Sequence, residues 1–108
     1  MKATYYQRGE TLDYTPAEDV ENGAVVSLGT RVGVAAAPIR AGEQGAVHVV
    51  GVFAMPKAEG EAIDQGAAVY YDAEADAITA TEGGNTPAGY AAASAAATDA
   101  VALVKLLG

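Results

Sequence analysis

At 108 residues the chain is about one domain long, which leaves no room for a catalytic module beside a binding module. Hydrophobic residues make up 51%, but 26 of them are Ala, and Leu, Ile, Val and Phe together number only 21, so the core is thin; with no Cys for disulfides, association between subunits is the remaining way to staple it. Fourteen acidic against 6 basic residues give a formal charge of −8 with no run of Lys or Arg, so phosphate backbones and anionic lipid repel the chain, which argues against nucleic acid and membrane as partners.

The opening Met1-Lys2-Ala3-Thr4-Tyr5-Tyr6-Gln7-Arg8 turns polar at once, and no stretch of about 18 apolar residues follows anywhere, so a chain kept in the cytosol is expected. Lys2 to Gln7 is β-prone through Thr4, Tyr5 and Tyr6, and Thr11 to Tyr14 follows the turn-like Arg8-Gly9-Glu10. Residues 1–14 therefore read as an extended docking arm or as a first hairpin of the single domain 1–108. Pro16 to Gly23, carrying Glu18, Asp19 and Glu21, reads as a solvated loop.

Ala24–Leu28 and Arg31–Ala35 are separated by Gly29-Thr30, a connection suited to an antiparallel hairpin. A second turn at Ala41–Gly45 leads into Ala46–Phe53, apolar on both faces and expected as the core strand. Pro56 ends it for want of an amide donor, and Glu59 to Gln65 predicts one short helix capped by Gly66. Ala68–Asp72 and Ala77–Thr81 flank the acidic tip Ala73–Asp76 as a hairpin, with Val69, Tyr71, Ile78 and Ala80 on one face. Gly83-Gly84-Asn85 closes it. Ala91 to Ala97 favours helix while Gly89-Tyr90 and Val101–Leu107 favour strands, and the reading adopted is strand, turn at Ala97-Thr98-Asp99, strand. The small side chains of 91–97 suit close approach between subunits or, equally, a tightly packed internal turn.

Lys2, Lys57 and Lys105 all lack a Walker A context. Asp72, Glu74 and Asp76 match the first ligand spacings of a calcium loop, but Ala77 stands where the bend needs Gly and Gly83 where closure needs Glu, so no metal is expected. His48 lies mid-strand between valines, and neither Ser27 nor Ser94 sits in a nucleophile turn. The pairs Glu59/Glu61 and Glu18/Asp19 are expected to stay solvated. No catalytic residue and no cofactor follow from these residues, and the chain is expected not to be an enzyme. The adjacent pairs Tyr5-Tyr6 and Tyr70-Tyr71, if in strands, send one ring to each face, and Tyr is enriched at interfaces.

In order and spacing, Met1-Lys2-Ala3-Thr4 with Gln7-Arg8-Gly9, Asp13-Tyr14-Thr15-Pro16, Gly33-Val34-Ala35, Ile39 with Ala41-Gly42-Glu43, and Gly51-Val52-Phe53 with Pro56-Lys57 form one set. Gly66, Val69-Tyr70, Asp72, Gly84-Asn85-Thr86 and Gly89-Tyr90-Ala91 continue it. Over nearly the whole chain this set resembles the small phage head decoration, or capsid cement, proteins, which also travel under a RecA/RadA-type recombinase label. The recombinase reading finds neither a nucleotide loop nor a basic surface here.

The resemblance implies a mainly β fold, a small antiparallel β-barrel or β-sandwich. It also implies homotrimers on the outer surface of the head, with the major capsid protein as partner and the host cytoplasm as residence before assembly. The candidate capsid or subunit contacts are Thr4, Tyr5, Tyr6, Gln7, Tyr14, Tyr70 and Tyr90, with the arm Lys2–Tyr14 suited to adding a strand to a capsid sheet edge. The rival readings are another small phage structural subunit, of tail or head completion, and a DNA-processing factor.

Overall fold

A computed structural model describes residues 1–107. Nine strands, β1 (Thr11–Tyr14), β2 (Val25–Ser27), β3 (Val32–Ala35), β4 (Gly45–His48), β5 (Val52–Pro56), β6 (Ala68–Asp72), β7 (Ala77–Thr79), β8 (Thr86–Ala91) and β9 (Val101–Leu106), form two antiparallel sheets. The first has the order β1-β4-β3-β2 and the second β5-β9-β8-β6-β7. The mainly β expectation holds, but the closed barrel does not form: both sheets keep free edges, and the second curls until Lys57, just past β5, bridges Ile78 of β7.

The hairpins read from turn chemistry are present. β2 and β3 pair across a tight connection in which the Leu28 amide donates to the Arg31 carbonyl at 2.7 Å, and β6 and β7 pair across the acidic tip. In the second hairpin Val69 and Ile78 are buried and Tyr71 packs on the same core, whereas Ala80 lies beyond the strand end and is exposed.

Three other expectations are corrected. Ala46–Phe53 is not one strand: Gly51, at φ +126°, turns the chain from the first sheet into the second, so β4 and β5 belong to different sheets. The fully enclosed strand is instead β3, buried at all four positions.

The helix over 59–65 is absent among the described residues. Its would-be partners are taken: the Glu61 carbonyl accepts from Lys57 Nζ, the Gln65 amide donates to Ser94 Oγ, and Ile63 exchanges two bonds with Ala95. Finally, Lys2–Gln7 does not form a hairpin with β1, because β1 pairs with β4 and residues 1–9 lie outside every strand.

Two apolar clusters follow from this topology. The larger lies inside the curl of the second sheet, with Met55, Ile63, Val69, Ile78, Val104 and Leu106, and is closed by Val32 and Val34 of β3. The smaller, Val26, Ala35, Ile39, Val47 and Val49, occupies the other face of the first sheet. There Val20 and Ile39, joined by two backbone bonds of 2.8 Å, lay the acidic loop across the sheet, so its charges are exposed but its backbone is anchored. Ala91 and Ala95 are buried in the larger cluster and serve internal packing, whereas Ser94, Ala96 and Ala97 of the same segment are exposed.

Candidate docking surfaces

Alternation along β5 and β9 puts Phe53, Met55, Ala102 and Val104 inward and Val52, Ala54, Pro56, Val101, Leu103 and Lys105 outward. Tyr90 of β8 stands beside Lys105 in the outward row, and Ala68 and Tyr70 of β6 continue it. The outward face is therefore apolar as well. Val52 is 52% exposed, Val101 49%, Tyr90 46% and Leu103 44%, and from β5 to the start of β6 the one charged side chain is Lys105. A contiguous apolar face on a chain of charge −8 is the kind of surface a partner covers.

Residues 1–9 form the second exposed region. Thr4, Tyr5, Tyr6 and Gln7 are all exposed, with Tyr5 at 83% and Tyr6 at 89%. This segment carries Lys2 and Arg8 and no carboxylate, so subtracting its +2 from the total of −8 leaves −10 on the rest of the chain.

The seven tyrosine, threonine and glutamine candidates do not converge on one site. Thr4 to Gln7 share the arm, Tyr70 and Tyr90 share the outward face of the second sheet, and Tyr14 is half-buried against the smaller cluster. The sequence reading did not single out Val52, Ala54, Val101 and Leu103. Their signal is present, since Val52–Pro56 and Val101–Val104 are apolar at both alternating positions, a pattern of strands covered on each side.

Polar groups elsewhere are committed to structure. Lys57, 5% exposed, donates from Nζ to the carbonyls of Ala58 at 2.8 Å and Glu61 at 2.6 Å, with Ala97 at 3.5 Å, tying the 58–61 loop to the 97 turn. Glu61 is not free in solvent as its loop position suggests: its carboxylate accepts from Thr79 Oγ1 and the Ala80 amide. Ser27 and Thr86 share a hydroxyl bond of 3.0 Å. The His48 ring lies 5.9 Å from that of Phe53.

At the acidic tip, Asp72 Oδ1 accepts from the amides of Glu74 and Ala75, and the Tyr71 hydroxyl donates to Asp76 at 2.7 Å. Burial, that bond and the charges of Asp76 and Asp72 push the Tyr71 phenol up to about 12. Among the described residues no three His, Cys, Asp or Glu side chains gather in a metal-binding arrangement.

Between the two sheets runs an open groove. One part, about 280 Å³, is lined by Glu21–Val25, Met55, Pro56, Tyr71 and Asp76–Ile78; the other, about 380 Å³, by Val34–Ala36, His48 and Phe53–Pro56 with Asn22, Gly23 and Val25.

A family model described as phage cement protein matches residues 6–106. No curated protein and no solved structure gives a significant match.

Proposed function

The chain belongs to the phage cement protein family, a structural family of the capsid, and on that premise we propose that it binds the outer surface of the head as a homotrimer and resists opening of the shell without catalysing any reaction. The apolar outward face of the second sheet is the observation that carries this reading. A face bearing Val52, Val101, Leu103 and Tyr90 with no carboxylate is costly to leave in water and suited to burial against the major capsid protein.

Cement action needs no special chemistry. Burying apolar area across a joint between capsid subunits adds free energy that internal pressure must overcome before the joint separates. An interface of about 1,600 Å² is enough for tight binding when well packed, and an oligomer that engages several shell subunits at once turns weak single contacts into strong retention.

Expanded heads lacking decoration, mixed with purified protein and sedimented, test the proposal. Saturable binding that raises the temperature of head rupture supports it. Heads that neither retain the protein nor gain resistance would refute it.

A further inference from the structure

We propose that residues 2–7 of one copy add as an extra strand to the free edge of β5 in a neighbouring copy, lying over the groove between the sheets. The inference rests on the oligomeric part of the proposed function and assigns the contact that joins the copies.

The β5 edge is built to receive a strand. Leu106 donates to Gly51 and Lys57 to Ala100, so in the continuous antiparallel register the odd residues 53 and 55 face β9. The main-chain groups of Val52 and Ala54 then point away from β9, towards an edge where no described strand pairs. Pro56, which has no amide to offer, closes that edge at its far end. The groove runs along this edge, with Phe53, Met55, Val25 and His48 among its walls.

The arm fits that edge in length, shape and charge. Lys2–Gln7 spans about 20 Å when extended and the five residues of β5 about 17 Å, at roughly 3.3 Å per residue. As a strand the arm turns Tyr5 and Tyr6 to opposite sides. One ring enters the groove, and the other extends the apolar row of Val52 and Leu103. Lys2 and Arg8 bring positive charge to a body of −10, where Glu21 and Asp76 line the groove. Among the described residues Lys2–Gln7 makes no strand pairing within its own chain, and the one ion pair nearby is Arg8 to Glu10 at 3.6 Å, whereas an edge strand and a β-prone segment of the same length complement each other between copies.

The chain has no Cys, so single engineered thiols report the contact cleanly. Full-length Tyr5→Cys and Tyr6→Cys are each mixed, under mild oxidation, with a mass-tagged Ala54→Cys chain or with Glu74→Cys at the remote hairpin tip. We expect at least tenfold more mixed disulfide with Ala54→Cys for one of the two arm positions; equal yields with Glu74→Cys overturn the proposal. The double variant Tyr5→Cys/Ala54→Cys should form linked dimers and longer species. Closure within single chains at every concentration means the arm covers its own edge and overturns the exchange between copies.

In parallel, Ala54→Pro removes an edge amide that makes no bond within the chain. Its self-association, measured by sedimentation, should weaken at least tenfold while its unfolding midpoint stays near that of the parent. Unchanged association refutes the proposal. Neither assay involves heads, so failure here leaves capsid binding standing, and failure of capsid binding leaves arm exchange standing.

Discussion

The two sheets face the same problem and solve it differently. In the first, β3 is apolar on both sides, and the chain itself covers both: Val32 and Val34 enter the larger cluster, while Ala35 meets Val47, Val26 and the Ile39 segment folded across the far face. In the second, β5 and β9 are equally apolar on both sides, yet the chain covers one. Val104 is fully buried, and Leu103 beside it is 44% exposed. A pattern that fold stability alone would not require on the outward side points to a cover supplied by another molecule.

Substitutions sharpen this contrast. The largest effect is expected from Gly89→Ala on the inner side of the second sheet. Gly89 holds φ +147°, and a Cβ there overlaps the Lys105 carbonyl of β9, so stability should fall by about 4 kcal/mol or more in urea unfolding. Gly33→Ala in the first sheet meets the Val47 side chain at 2.9 Å and should cost less, about 2 kcal/mol, because a side chain can yield where a carbonyl cannot. Lys57→Met strips the donor from the Ala58 and Glu61 carbonyls, and a loss of about 2 kcal/mol is expected.

The neighbours Val104 and Leu103 give the cleanest pair. Val104→Ala should cost about 2 kcal/mol and leave head binding at saturating protein intact, whereas Leu103→Asp should change the stability of the free chain by roughly 0.5 kcal/mol or less and abolish head binding.

The smallest effect concerns alkaline pH. The folded Tyr71 phenol titrates at about 12 against 10.0 in the unfolded chain, so the unfolded state loses its proton first. The stabilisation is complete below pH 10 and disappears as pH rises from 10 towards 12. Tyr71→Phe should flatten that decline in the urea midpoint.

Much of the β architecture was legible. Gly29-Thr30 and the tip Ala73–Asp76 announce hairpins because turns demand particular residues locally, and both formed. The failures are of another kind. Ala46–Phe53 reads as one strand because apolar alternation carries no mark of the sheet to which a residue belongs; Gly51 alone hints at the break. Glu59–Gln65 has a plausible helical composition, but the bonds that decide its shape come from Ser94, Ala95 and Lys57, two of them some thirty residues away.

Of the candidate docking surfaces, the arm is legible in the sequence as a β-prone segment that precedes a clear turn. The outward face of the second sheet is not legible in the same way. Double-sided apolarity in Val101–Val104 looks the same in sequence whether the second cover is the chain or a partner.

The central claim is that a capsid covers what the chain leaves bare on its second sheet. Carbene labelling of side chains in free protein and in decorated heads, read residue by residue by mass spectrometry, tests it directly. The account predicts that Val52, Leu103 and Tyr90 lose most of their labelling on heads while the Ala73–Asp76 tip keeps its own. Undiminished labelling of those three residues on saturated heads, with protection elsewhere, would contradict it.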